Sequence, residues 1–353
     1  MDAVPIPLDV DQITAEWLTA ALGVAVDRVD VLDAHSGTTG RARLGITYAD
    51  GAEPGPASVF VKLAPFDPRQ RKFVDMTGLG VAEARFYRDV ADGVPVRVPI
   101  GHFSALDNDG RFVMVLEDLV ASGCRFPGPG DADVDGVGAI VHRLADLHGR
   151  FWGDPRLEVD GALDWVCDGN RVAFEHGGAY FARALELFGD EMGPTFRRLA
   201  ELYVEQAPAI AQLLGAGPPT LIHGDPHFGN LFFDGDEAGF FDWGMVWRAT
   251  GVRDVAYVLG NSTPVELRRE HERMYLRHYV DVLGSHGAEL KFKKAWEQYR
   301  LLVIYAWSSA TSTATMGSRW QSIEVGHAGM ARATAAVEDL ESVPLLESML
   351  AQI

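Results

Sequence analysis

The chain has 353 residues, 47% of them hydrophobic, with 31 basic and 50 acidic side chains and a formal net charge of −19. That length predicts two lobes or domains rather than one core, and the apolar fraction excludes a disordered chain. So acidic a surface argues against nucleic acid or an anionic membrane as the main partner, although it would draw in a cationic ligand.

Residues 11–22 read as a short amphipathic helix: Asp11 is the expected N-cap, Ile13, Trp17, Leu18 and Leu22 share a face, and Gly23 ends it. Strand-like runs follow at Val29–Ala34, Arg43–Tyr48 and Val59–Leu63. Between the first two lie Ser36, Gly37, Thr38, Thr39 and Gly40, whose glycines and hydroxyls suit a backbone cradle for phosphates or an ordinary hairpin turn. A helix is predicted over Val81–Ala91, with Glu83, Phe86, Tyr87 and Val90 on one face. Three of those four are apolar or aromatic, so Glu83 sits on a packed face and needs a partner. A hairpin comes next, with Asn108-Asp109-Gly110 as its turn and Phe112–Leu116 as its second strand.

After Leu119 the pattern turns helical. The helix Val137–Phe151 carries His148 on its apolar stripe, where a hydrogen-bonded core histidine is expected. Aromatics such as Phe174, Phe181, Trp307 and Trp320 read as core. The exception to the helical pattern is a strand-rich island at 220–242. The chain is therefore expected to be α+β: a small sheet-plus-helix lobe over 1–118, a hinge near Leu116–Leu119, and a large mainly helical lobe over 119–353. Two cysteines, Cys124 and Cys167, supply neither a disulfide framework nor a zinc site and point to a reducing cytoplasm. The first residues lack the basic and apolar pattern of a signal peptide, and runs such as Leu301–Trp307 fall short of the roughly 20 residues that span a bilayer.

The island holds the chemistry. Leu221-Ile222 is a short strand leading into His223-Gly224-Asp225, and Leu231–Phe233 and Gly239–Phe241 form a hairpin. If that hairpin is symmetric about its loop, Asn230 opposes Asp242, and opposed residues share a face. An amide oxygen and a carboxylate held so would chelate a hard cation such as Mg²⁺. Asp225, on the loop entering the hairpin, is placed to accept a proton from a substrate hydroxyl. Asp234, Asp236 and Glu237 read as turn residues, and His223 as a loop brace.

The segment HGDPHFGN followed by FDW resembles the catalytic loop and metal motif of the aminoglycoside phosphotransferase and choline kinase group, which shares the protein-kinase-like fold. LADLHGRFW at Leu144–Trp152 and the tail around Gly326–Ser342 look most like its ecdysteroid-kinase-like branch and bacterial relatives. The resemblance implies a bilobal kinase using ATP and Mg²⁺, with Asp225 as catalytic base, Asn230 and Asp242 as metal ligands, and Asp254 in GVRDVAYVL bracing the catalytic loop. VFVK resembles the strand whose Lys holds the α- and β-phosphates. That makes Lys62 the partner of Glu83, 21 positions on. Ser36, Gly37, Thr38 and Thr39 would then face the phosphates, and Glu117 and Leu119 would fall at the adenine-binding hinge. Arg248 and Arg253 are candidates for phosphate contacts or surface ion pairs.

A protein kinase is disfavoured, because only 11 residues separate Asp242 from Asp254, no A-P-E follows, and His-Gly-Asp replaces His-Arg-Asp. A non-catalytic pseudokinase would lack Lys62, Asp225, Asn230 or Asp242, and none is missing. A metallohydrolase built on His223, Asp225 and His227 would need more ligands and leaves Lys62 unexplained. The expected acceptor is a small hydroxyl-bearing molecule in a mainly apolar pocket, with an aminoglycoside as the alternative that the net charge suggests.

Overall fold

The computed structural model describes residues 4–37, 39–168, 177–317 and 322–353. It divides into two compact units. One holds Met1–Arg125 with Asp234–Asp236 and Phe240–Met245, and the other Phe126–Phe233, Glu237–Gly239 and Val246–Ile353.

In the first unit the predicted opening helix is two elements. Asp9 caps a 3-10 turn, Val10–Gln12, and helix α1 is Ala15–Leu22, capped by Thr14, whose hydroxyl accepts the Trp17 N–H at 3.2 Å. Asp11 is thus inside the turn, and Gly23 closes α1 in the left-handed region at φ 71°. The strands β1 (Val26–Ser36), β2 (Gly40–Tyr48), β3 (Ser58–Leu63), β4 (Gly101–Leu106) and β5 (Phe112–Glu117) form an antiparallel sheet, in the order β1-β2-β3-β5-β4 among the described residues. Its inward side chains Leu44, Val59, Val61, Leu63, Val113 and Val115 pack with Trp17 and Leu18 of α1.

Helix α2 (Pro68–Thr77) has no counterpart in the sequence prediction, while α3 (Leu79–Asp89) is the predicted helix, begun two residues earlier. Gly80 lets α3 lie close on β5, because a methyl there would overlap the Phe112 ring. The Ser104 hydroxyl on β4 donates to the Ala84 carbonyl at 2.9 Å, and Phe86 stacks on Trp243 with ring centroids 4.0 Å apart. These contacts fix which way α3 faces and so where Glu83 points.

The second unit is mainly helical. Its helices are α4 (Val134–Arg150), α5 (Gly177–Phe188), α6 (Gly193–Leu214), α7 (Val252–Tyr257), α8 (Val265–Ser285), α9 (Phe292–Thr315), α10 (Ile323–Asp339) and α11 (Ser342–Leu350). Trp307 of α9 is fully buried against Phe181, Phe196 and Tyr203, with ring centroids 5.2 to 5.8 Å away, so these aromatics are core as expected. Phe174 and Trp320 lie outside the described residues. Strand β6 (Pro219–Ile222) pairs antiparallel with β9 (Trp247–Thr250), a strand the sequence prediction lacks. Among the described residues no helix is long and apolar enough to cross a membrane.

The hairpin of β7 (Leu231–Asp234) and β8 (Glu237–Phe240) has a two-residue turn, Gly235-Asp236, with Gly235 at φ 60°. Such a turn sets the register one residue away from the symmetric loop expected from the sequence. Strand register therefore does not oppose Asn230 to Asp242. Asn230 belongs to the 3-10 turn Phe228–Asn230, and Asp242 lies past the end of β8.

Gly80→Ala tests how α3 is seated. It should destabilise the protein by about 1–3 kcal/mol through overpacking against Phe112. A denaturation midpoint equal to that of the parent protein would show that α3 does not depend on this close approach.

Candidate active site

In the first unit, sheet register assembles a cluster of charge. Lys62 on β3 lies opposite Arg41 on β2. Its ammonium is 2.5 Å from Glu83 Oε2 and 3.2 Å from Asp242 Oδ1, and Lys62 and Glu83 are both buried. Arg41 Nη2 stands 3.8 Å from Asp242 Oδ2, and Arg41 Nε donates to Thr39 Oγ1 at 3.2 Å. Two cations thus meet two carboxylates, an arrangement that makes burial of Glu83 tolerable. Burial pushes the Glu83 carboxyl above its ordinary value, the Lys62 ammonium pulls it back, and the charge of Asp242 adds to the rise. Glu83 Oε1 is buried without a hydrogen-bond partner. Asp242 has φ 64°, a left-handed conformation uncommon for a non-glycine residue.

Arg41 was missed by the sequence reading. Strand alternation shows its face, but only the β2–β3 register shows that it stands opposite Lys62.

The expected phosphate cradle is partly committed elsewhere. The Ser36 hydroxyl donates to Gln70 Oε1 and accepts the Phe66 N–H, both at 3.0 Å, so it braces the approach to α2. The Gly37 N–H donates to the Thr39 carbonyl at 3.0 Å, and Thr39 is buried. Thr38 lies outside the described residues. At the expected hinge, the Glu117 N–H donates to the Ile100 carbonyl at 2.8 Å. The Glu117 carboxylate meets Arg97 at 2.6 Å and the Ile100 N–H at 3.0 Å. Burial would raise the Glu117 carboxyl, but these bonds hold it below its usual value. Leu119 is buried, and its carbonyl accepts the Cys124 N–H at 3.0 Å. Between them Asp118, unremarked in the sequence, is buried and takes hydrogen bonds from Arg43 (2.9 Å) and Ser58 (2.8 Å).

In the second unit, β6 delivers the loop His223-Gly224-Asp225. The Asp254 carboxylate at the start of α7 accepts the His223 N–H at 2.7 Å and the Gly224 N–H at 3.0 Å. Its Oδ2 also lies 3.3 Å from His148 Nε2, and His148 Nδ1 is 3.0 Å from the Tyr279 hydroxyl. Tyr305 donates to the Gly224 carbonyl at 2.9 Å. Asp254 therefore braces the loop, and His148 is a hydrogen-bonded core histidine, as expected. Gly224 turns the loop at φ 86°, and Gly251 is needed because a methyl there would strike Tyr279 and His148.

Around Asp225 the side chains are ordered by short-range bonds. Asn230 Nδ2 donates to the Asp225 carbonyl at 2.9 Å and to Asp225 Oδ2 at 3.2 Å, which leaves Asn230 Oδ1 with acceptor capacity. His223 Nδ1 accepts the Asp225 N–H at 3.3 Å, and His227 Nδ1 accepts the Gly229 N–H at 3.0 Å. Both imidazoles thus serve the loop backbone, and among the described residues no group of three or more His, Cys, Asp or Glu is placed to hold a metal ion.

Asp225 opens onto a cavity of about 320 Å³, lined also by Phe228, Tyr257, Asn261, Ser309 and Arg332. Burial, and then the neighbouring Asp225 charge, raise the Tyr257 hydroxyl well above its usual value, and that hydroxyl bonds Ser309 Oγ at 2.8 Å. The lining is more apolar than polar, as expected, with Phe228 and Tyr257 among its aromatics and Asp225, Asn261, Ser309 and Arg332 among its polar groups.

Two arginines depart from or narrow the sequence reading. Arg253 is buried, with its guanidinium 3.5 Å from the ring centroid of Tyr305 and 4.3 Å from that of Trp247, so it is neither a phosphate contact nor a surface ion pair. Arg248 forms a solvent-exposed pair with Glu158 at 2.7 Å.

A family model described as the phosphotransferase enzyme family matches residues 47–291. No curated protein matches the chain. Among solved structures it is similar to wild-type aminoglycoside 2'-phosphotransferase-IIIa in complex with GDP, at 14% identity, 93% coverage of each chain and a TM-score of 0.51. It is also similar to a Plasmodium vivax ethanolamine kinase, at 13% identity, 91% coverage of this chain and 83% of that one, with a TM-score of 0.46. The first of these likenesses supports the protein-kinase-like α+β fold expected from the sequence.

The charge cluster makes a stability prediction independent of activity. Lys62→Met should cost about 3–5 kcal/mol by stranding Glu83 in the interior. Lys62→Met with Glu83→Leu should recover much of that loss in urea denaturation. Strictly additive losses would mean that the two side chains do not share one interaction.

Proposed function

Because the chain belongs to the phosphotransferase enzyme family, we propose that it transfers the γ-phosphoryl group of Mg·ATP to a hydroxyl of a small molecule, with Asp225 as the base. The observation that carries this reading is the Asp225 carboxylate: it is tethered by Asn230 and opens into a cavity large enough for a small molecule. A carboxylate so held accepts the hydroxyl proton as the oxygen attacks phosphorus, and its tether keeps it aimed.

In this proposal residues 1–118 bind the nucleotide, and 119–353 carry the catalytic loop 221–242 and the acceptor helices. Lys62, oriented by Glu83, neutralises the nucleotide phosphates, and Arg41 adds a second cation beside Asp242. Asn230 and Asp242 are the proposed ligands of Mg²⁺. Their oxygens fit a hard cation that takes few protein ligands, and the bonds from Asn230 Nδ2 leave its Oδ1 available. Bound there, the ion would offset charge on the transferring phosphoryl group. Thr39 and the backbone near Gly37 remain proposed phosphate contacts, and Glu117 and Leu119 the proposed base-binding segment. The proposed compartment is a reducing cytoplasm, in keeping with Cys124 and Cys167 forming no disulfide.

The alternatives fit less well. A binding module without catalysis would have no use for a complete set of Lys62, Asp225, Asn230 and Asp242. A polycationic acceptor needs several converging carboxylates, and among the described lining residues Asp225 is the one carboxylate.

Asp225→Asn should lower kcat by about 10²–10⁴-fold with Mg·ATP affinity nearly unchanged. Asp242→Ala should abolish the Mg²⁺ dependence of nucleotide binding, measured by calorimetry. Parent-like turnover in the first variant would remove Asp225 from the role of base, and unchanged Mg·ATP affinity in the second would remove Asp242 as a ligand.

A further inference from the structure

We infer that Arg332 makes this cavity a site for an acceptor that carries an anionic group, a carboxylate or a phosphate, in addition to the hydroxyl received by Asp225. The inference rests on the phosphotransfer proposed above and names its substrate class.

Arg332 projects from α10 into the lining of the cavity that Asp225 opens onto. Its Nε donates to the Asn261 carbonyl at 2.5 Å. That carbonyl belongs to the π-helical turn Val258–Ser262, which follows α7. Such turns interrupt regular helices frequently at functional sites. The bond fixes the plane of the guanidinium and uses one of its five N–H donors. Among the described residues no carboxylate pairs with the rest. Burial alone acts on the group and pulls it below its ordinary value, with no neighbouring charge to compensate.

The buried arginines of this unit differ in how their charge is met. Arg268 pairs with Glu272 at 2.9 Å and with Asp339, and Arg253 lies against two aromatic rings. A half-buried guanidinium without a counter-ion is costly unless something else supplies one. Its planar fork of N–H groups suits the paired oxygens of a carboxylate or phosphate.

The helix is built to bring Arg332 there. Gly329, one turn before it, has no side chain, and a methyl would come within 3.1 Å of Asn261 Oδ1. Gly326 likewise approaches the backbone of Ala314 on α9. With Asp225 and Arg332 on one wall set, the cavity offers a proton acceptor for the hydroxyl and an anchor for the anion. An aminoglycoside, whose charges are all positive, would meet the same arginine as a repulsive element.

The test uses matched probes at constant ionic strength: glycerol against glycerate and glycerol phosphate, and glucose against gluconate and glucose 6-phosphate. Binding to the full-length protein is read by thermal shift and calorimetry, and ATP consumption is followed in parallel. The parent protein should bind at least one acid or phosphate about 10- to 100-fold more tightly than its neutral twin. Arg332→Gln should erase that preference, Arg332→Lys should keep part of it, and Mg·ATP affinity should stay unchanged in both. The inference is overturned if no anion outperforms its neutral twin on the parent protein, or if the preference survives Arg332→Gln. It is also overturned if Arg332→Gln weakens Mg·ATP binding instead. The parent-protein pairs decide the matter even if a variant fails to fold. Absence of Mg·ATP binding would count against phosphotransfer, while the anion-binding arm would still report on Arg332.

Discussion

Two backbone N–H groups donating to one buried carboxylate hold the loop on which the proposed chemistry depends. Asp254 takes the amides of His223 and Gly224, and it is itself fully buried. A carboxylate in that position is stabilised by three hydrogen-bonding groups: two amides from the loop and the imidazole of His148. The opposite side of the loop is fixed by Tyr305 on the Gly224 carbonyl, and Thr220 on β6 donates to the His148 carbonyl at 2.7 Å. Groups from α7 and α9 therefore bond the loop directly, and α4, β6 and α8 back them through His148. Asp225 comes next in the chain and inherits that rigidity, which lets a side chain about a quarter exposed keep a defined direction.

The local parts of this arrangement were readable in the sequence. HGDPHFGN and FDW are short and dense in chemistry-bearing residues, so Asp225, Asn230 and Asp242 stand out without any knowledge of packing. Glu83 was found by helix periodicity, since a carboxylate on a face shared with Phe86 and Tyr87 implies a partner. His148 was readable for the same reason. What escaped was decided by register and by long-range packing. Arg41 meets Asp242 only because β2 and β3 pair with Arg41 opposite Lys62. The two-residue turn of the β7–β8 hairpin moved the expected pairing by one position. Strand β9 is four residues long with mixed polarity, and α2 is mostly polar, so neither leaves a periodic signal. Arg253 reads as a surface cation until Trp247 and Tyr305 are seen on its two faces.

Charge is handled locally rather than globally. The chain carries a net −19, yet the Lys62, Arg41, Glu83 and Asp242 cluster is balanced in itself, and the cavity beside Asp225 holds an arginine. Net charge is thus a weaker guide to the proposed acceptor than the groups that line the cavity. The acidic surface suggested a polycationic ligand, whereas the cavity lining offers one carboxylate, several hydroxyls and a guanidinium. Specificity in such a site follows from which groups are left unpaired when it is empty of ligand, because those are the groups that reject a mismatched molecule.

The most direct test of the account is the product. The protein would be incubated with Mg·ATP and fractions of a small-molecule metabolite extract, and the products read by mass spectrometry and ³¹P NMR. Phosphotransfer to a hydroxyl predicts a new phosphate monoester on a small alcohol, formed in step with ADP. ADP released with only inorganic phosphate in every fraction, or no ADP at all, would contradict it.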